Sequence, residues 1–203
     1  MCGISGYYYP KSIKESKTEL EKMASSQNHR GPDFTGYYYY EGFGLAHNRL
    51  SLLDLSSNGN QPFQNEKIAL AFNGEIYNFK DLREELGYFE SKSTGDTEVL
   101  FQCLLQWGLD KTLSKVKGMF AFAYFEKESK NLYLCRDRFG IKPLFYGALN
   151  SEEFVFSSEL KALNSSWNFE PDPVQLLFSS LGILEKSDEK TAWKDIFLVP
   201  AGG

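Results

Sequence analysis

Cys2 stands directly behind the initiator methionine, in the run Met1-Cys2-Gly3-Ile4-Ser5-Gly6. A residue this small allows Met1 to be trimmed, which would leave one residue carrying both a thiol and a free α-amine. Such a residue is a nucleophile with its own base. An unperturbed α-amine titrates near ~7.7–8.0 and a thiol near ~8.5, so both sit close to neutral pH. With Met1 attached, the amine is an amide nitrogen and has lost its basicity. The competing reading is structural: a small apolar Cys entering a buried strand.

Three further polar clusters interrupt apolar segments at strand ends, where binding groups commonly lie. In His47-Asn48-Arg49-Leu50-Ser51 the Arg49 guanidinium suits a carboxylate, held bidentately, or else a structural salt bridge. Asn73-Gly74 offers two donors, an amide NH2 and a glycine N–H, the pair that stabilises a tetrahedral oxyanion. The same dipeptide is the commonest type I′ turn. In Thr94-Gly95-Asp96-Thr97-Glu98, Asp96 is either the N-cap of a helix or a carboxylate for a substrate ammonium. Together the clusters describe a site for an α-amino acid whose side-chain carbonyl is attacked by a thiol.

The elements that must position these groups can be read from periodicity. Gly3–Tyr9 reads as an apolar strand, and 15–26 as a helix with Ser16 and Glu19 spaced as a capping box. Strands are expected at Thr35–Tyr40, Phe43–His47 and Ile68–Asn73. A short helix fits Asn78–Leu86, with Asn78 as its N-cap. Val99, Leu100, Cys103, Leu104 and Trp107 recur at helical spacing after Gly95, and Gly108 closes that helix. Met119–Phe125, Leu132–Cys135, Leu144–Gly147 and Phe154–Ser157 follow as strands, then a helix near Asp172–Leu181. This order suggests two sheets with helices outside them.

With 203 residues the chain suffices for one well-packed domain. A net charge of −5 argues against a nucleic-acid surface, and no apolar run reaches a membrane span. The N-terminus carries no signal-peptide pattern. Cys2, Cys103 and Cys135 give neither a disulfide framework nor zinc spacing, so a reducing, cytoplasmic setting is expected.

Several blocks also resemble a known family. Met1-Cys2-Gly3-Ile4, His29-Arg30-Gly31-Pro32-Asp33, Asn73-Gly74-Glu75-Ile76-Tyr77-Asn78 and Asp96-Thr97-Glu98 resemble the class II glutamine amidotransferases, which are N-terminal-nucleophile hydrolases. Arg136-Asp137-Arg138-Phe139-Gly140-Ile141-Lys142-Pro143-Leu144 and the stretch Phe156–Leu163 are similar to the glutaminase domain of asparagine synthetases. The resemblance runs in order over residues 1–165 and thins toward 203.

The resemblance implies an α+β fold, a four-layer αββα sandwich of two antiparallel sheets flanked by helices. It implies a single glutaminase domain over 1–203 that hydrolyses L-glutamine to glutamate and ammonia through a Cys2 γ-glutamyl thioester. Asn73 and the N–H of Gly74 would form the oxyanion hole. Arg49 would hold the glutamine α-carboxylate, Asp96 and Glu75 its α-amino end, and backbone groups near Leu50 and Leu52 would orient the amide. Arg30 and Arg136–Lys142 would be structural or interfacial, His29 and His47 scaffold, and Cys103 and Cys135 packing. No cofactor is implied for this reaction; ATP and Mg belong to a synthetase domain whose phosphate-binding Ser-Gly-Gly-x-Asp-Ser loop this chain lacks. The implied partners are L-glutamine and a synthetase domain or subunit, with no nucleic acid and no membrane, and a homodimer is left open. The rival readings are a non-catalytic glutamine-binding module on the same fold and an N-terminal-nucleophile hydrolase of another amide.

Overall fold

A computed structural model describes residues 1–8, 16–150, 152–181 and 189–203. In chain order its elements are β1 (Gly3–Tyr8), α1 (Ser16–Ser26), β2 (Phe34–Tyr40), β3 (Phe43–Arg49), β4 (Phe63–Gln64), β5 (Ile68–Ile76), α2 (Phe79–Leu86), α3 (Asp96–Lys115), β6 (Gly118–Glu126), β7 (Asn131–Arg136), β8 (Phe145–Ala148), β9 (Phe154–Ser157), α4 (Leu160–Asn164), α5 (Pro173–Ser180) and β10 (Ile196–Leu198). One sheet has the order β10-β8-β9-β1-β3-β2 and the other β4-β5-β6-β7. Every strand pair is antiparallel.

Side-chain alternation along the strands builds the layers. On β5, Leu70 and Phe72 pack against Leu82, Val99, Leu100 and Leu104 of α2 and α3. The intervening Ala69 and Ala71, with Ala121 and Ala123 of β6, face the other sheet and meet Ile4 and Leu45 there. Four alanines on one inner face let the sheets approach closely, and Phe43 stacks on Phe125 at 4.2 Å between ring centroids. The outer face of the six-stranded sheet buries Tyr7, Ala46 and Val155 under Leu20, Met23 and Ala24 of α1 and Ala162 and Leu163 of α4. The stack is therefore helices, sheet, sheet, helices: the αββα sandwich expected from the sequence.

Local differences from the sequence-based expectations have physical causes. β5 does not stop at Asn73; its pairing with β6 runs on to Ile76, so Asn73-Gly74 lies inside a strand and the type I′ turn is excluded. Asn78 sits at the N-cap of α2 without capping it, because its amide donates to Lys115 O and its Oδ1 accepts from Lys117 N–H. Gly108 breaks α3 with φ 76° and ψ 177°, but helix resumes beyond it to Lys115. The short β4, α4 and β10 were not anticipated, being too brief to show a period. Glu19 pairs with Lys22 at 2.9 Å, while the Ser16 side chain, Tyr9 and Glu15 fall outside the described residues.

The 137–142 loop is held by Arg136, the last residue of β7, and by its own first residue, Asp137. Arg136 donates to the carbonyls of Lys142 and Gly140, and to that of Val199 near the C-terminal end. Asp137 accepts N–H bonds from Phe120, Phe139, Ile141 and Lys142. Burial works against its charge, but these four donors outweigh burial and hold the carboxyl below the usual range. Asp137→Ala is expected to lower the unfolding free energy by about 2–4 kcal/mol in denaturant titrations at neutral pH. The lowered folded-state pKa makes this contribution complete above the ordinary carboxylate value of 3.8 and lost as pH falls through the depressed one.

Candidate active site

Strand parity decides which groups meet. Ile4 of β1 and Phe43 and Leu45 of β3 face the inner gap between the sheets. Cys2, two residues before Ile4, and Arg49, four after Leu45, therefore point the same way. The β1–β3 register sets Gly3 opposite Asn48, which brings Cys2 beside Arg49. On the facing sheet, Asn73 and Glu75 continue the inner face begun by Ala69 and Ala71. All four residues line one cavity of about 240 Å³, together with Leu50, Leu52, Gly74, Asp96 and Thr97.

The nucleophile is held at its backbone and at its sulfur. Arg30 Nε donates to the Cys2 carbonyl at 2.9 Å, and Glu159 fixes that guanidinium at 3.0 Å. The Leu50 N–H donates to Cys2 Sγ at 3.4 Å, and the thiol faces the Leu50 carbonyl at 3.7 Å. Burial pushes the thiol pKa up; the Leu50 N–H, the N-terminal ammonium, Arg49 and Arg30 pull it down without cancelling that rise. The resting group is a protonated thiol and needs a base to attack.

The edge of β5 supplies the donors. Tyr77 N–H bonds to Lys117 O, so the odd residues of this strand pair with β6 and the even ones turn their N–H groups outward. Of these, Phe72 N–H goes to Gln61 Oε1 at 2.7 Å and Ile76 N–H to Asp96 Oδ2 at 2.7 Å. The Gly74 N–H between them finds no acceptor among the described residues and faces the cavity. Beside it, Asn73 is 1% exposed and its Nδ2 is buried without a partner. A Cβ at Gly74 would lie 2.3 Å from the Met119 carbonyl, so only glycine permits this approach of β5 to β6. Two donors side by side without partners among the described residues, in a cavity that a thiol also lines, are what binding an oxyanion would require.

The charged groups divide around these donors. Arg49 is 7% exposed and bonds three neutral oxygens: the carbonyls of Asp54 and Ser56 and Asn60 Oδ1. No carboxylate lies at ion-pair distance among the described residues, so its charge remains available to a ligand. Asp54 ties the same loop to the start of α3 through Ser93 and Thr94. Asp96 lies at the N-terminus of α3. Burial raises its pKa, the Ile76, Asp96 and Thr97 N–H groups oppose the rise, and the Glu75 charge adds to it. Two carboxylates crowding one cavity favour a cationic ligand.

The structure thus brings together Cys2, Arg49, Leu50, Leu52, Asn73, Gly74, Glu75 and Asp96, as the sequence reading grouped them. It adds Gln61, whose amide occupies both backbone groups of Phe72, and Lys142, which also lines the cavity. A glutamine and a lysine in loops carry no sequence signal of this kind. His47 is scaffold: its Nε2 meets the Phe72 carbonyl at 3.1 Å. Among the described residues no acidic, His or Cys group could hold a metal ion, and no helix is long and apolar enough to cross a membrane.

A family model described as a glutamine amidotransferase domain matches residues 1–203. A putative glutamine-hydrolyzing asparagine synthetase 2 of Methanocaldococcus jannaschii is 35% identical over 207 residues, covering 88% of this chain and 39% of that protein. Asparagine synthetase 2 of Bacillus subtilis is 41% identical over 170 residues, covering 81% and 22%. Asparagine synthetase B of Escherichia coli is 38% identical over 170 residues, covering 80% and 30%. The chain thus spans well under half the length of these curated relatives. Among solved structures, the glutamine phosphoribosylpyrophosphate amidotransferase of B. subtilis, complexed with ADP and GMP, superimposes with a TM-score of 0.67 at 22% identity. It covers 85% of this chain and 46% of that one, which shows the shared fold.

Burial pushes the His47 pKa down to about 3. Its ring is expected to show no titration shift by NMR between about pH 5 and pH 8. A depressed folded-state value makes the neutral-His contribution complete above 6.5 and lost toward 3. The stability advantage of wild type over His47→Gln should therefore narrow across that acid interval.

Proposed function

The chain belongs to the class II glutamine amidotransferases, and from that premise we propose that it is a glutaminase domain supplying ammonia to an amidation of the asparagine-synthetase type. The observation that carries this reading is the pair of donors without partners among the described residues, Asn73 Nδ2 and Gly74 N–H, in a cavity also lined by the Cys2 thiol, Arg49, Glu75 and Asp96. A glutamine molecule matches that layout: its α-carboxylate goes to Arg49, its α-ammonium to Asp96 and Glu75, and its carboxamide to Cys2.

Hydrolysis proceeds in two stages. The α-amine of Cys2, free once Met1 is removed, takes the thiol proton as sulfur bonds to the carboxamide carbon. The carbonyl electron pair moves onto oxygen, where Asn73 and Gly74 donate to it. This oxyanion collapses, the C–N bond breaks, and the proton held by the amine passes to the leaving nitrogen, which departs as ammonia. Water then attacks the γ-glutamyl thioester with the amine again as base, releasing glutamate and the thiol. The raised thiol pKa supports the need for that amine. With Met1 in place the base is missing, and the domain would bind glutamine but turn it over poorly.

The glutaminase step uses no cofactor in this reading; ATP and Mg would serve a synthetase domain or subunit that takes up the ammonia. The names of the relatives support such a partner, with aspartate, a sugar or another carboxylate as acceptor. A reducing cytoplasm suits the free thiol.

Protein beginning at Cys2 by mass spectrometry should release glutamate and ammonia from glutamine, and Cys2→Ala should not. Processed protein without glutaminase activity, or an active Cys2→Ala variant, would overturn the proposal. Asn73→Ala is expected to lower kcat by about 10²–10³ with a small change in KM. Arg49→Ala should act mainly through a higher KM; an unchanged KM would point to a substrate lacking the α-carboxylate.

A further inference from the structure

Lys142 has no part in the reaction as derived above, yet it lines the cavity and is 6% exposed. Its backbone is engaged on both sides. The N–H donates to Asp137 Oδ2 at 3.1 Å, and the carbonyl accepts from Arg136 Nε at 2.7 Å. Its ammonium meets neither a carboxylate nor another acceptor among the described residues. A cation on the wall of a cavity, without a counterion among the described residues, acts on any anion that forms nearby.

The hydrogen bonds of its backbone set where Lys142 joins the cavity wall. Asp137 Oδ2 also accepts the Phe120 N–H at 3.1 Å, so the Lys142 backbone is held close to that of Phe120. Phe120 is the β6 residue paired with Gly74. Arg49 is held instead by the segment from Asp54 to Asn60. The two residues are anchored to different elements: the Lys142 backbone beside Phe120, the β6 partner of Gly74, and the Arg49 guanidinium against the 54–60 loop.

We propose that Lys142 is the cationic member of the oxyanion site. Resting on the glutaminase reading, this assigns it to the negative charge that arises on the glutamine carboxamide oxygen while sulfur is bonding to carbon. The neutral amide of bound glutamine carries no such charge. The ammonium therefore favours the transition state over the bound substrate, and its effect falls on kcat.

The test compares wild type, Lys142→Met and Lys142→Arg, each confirmed by mass to begin at Cys2. Methionine keeps the length and burial of the side chain and removes its charge, and it leaves the backbone bonds to Asp137 and Arg136 in place. Lys142→Met is expected to lower kcat about 10–100-fold with KM for glutamine within about twofold and thermal stability near wild type. Lys142→Arg should recover part of the lost rate. An unchanged kcat in Lys142→Met overturns the assignment, as does a rise in KM at constant kcat, which would make Lys142 a substrate-carboxylate ligand. A lowered kcat that accompanies a lowered melting temperature, and that Arg does not recover, overturns it in favour of a structural role. If wild type releases no glutamate, the glutaminase reading itself falls; if wild type is active and Lys142→Met equals it, only this assignment does.

Discussion

Beyond Leu70, strand β5 has a hydrogen-bonding neighbour on one side only, and the candidate site depends on that half-open ladder. A strand edge inside a protein must satisfy its N–H groups by other means. Here Gln61 takes one and Asp96 another, each through a buried side chain. The N–H between them is left for a ligand. Asp96 thereby acts as a backbone partner that sets α3 against the strand and as a negative wall of the cavity. Had β4 been longer, it would have covered the edge and paired the Gly74 N–H.

The second constraint is the separation of the sheets. Alanines at 69, 71, 121 and 123 keep the gap narrow in the middle of the sandwich. At its end the same inner faces carry Cys2, Arg49, Asn73 and Glu75, and the layers open into a cavity. Groups that would be expensive to bury in the core lie at this opening instead. Arg49 and Lys142 have no carboxylate partner among the described residues, while Asp96 and Glu75 repel each other. The cavity thus carries charges of both signs, the complement of the glutamine zwitterion proposed to bind there.

Much of this was legible from the chain. The Cys2 opening, the Asn-Gly pair and the Arg49 and Asp96 clusters each had a second, structural meaning when read alone. Tertiary placement excluded one of them: Asn73 lies inside a strand with its amide buried, and is no turn residue. Gly95, not Asp96, occupies the N-cap of α3, and the Asp96 carboxylate reaches across to Ile76. The long strands and α3 showed clear periods, whereas β4, α4 and β10 are too short to show any. Lys142 was grouped with a structural loop. Its neighbours in sequence are indeed structural, and only the folded chain puts Lys142 on the wall of the cavity.

By itself the sequence determined the alternation that makes each strand two-faced, the residue types able to attack, donate and bind charge, and the family likeness. Parity is a local property, since successive side chains must point to opposite faces. Which inner faces oppose one another, and at which end they part, is not local. That followed from the antiparallel registers joining residue 3 to 48 and 74 to 120, set by packing two sheets through small side chains. Only that packing converted a thiol, an amide and two pairs of charges, scattered from residue 2 to residue 142, into one cavity.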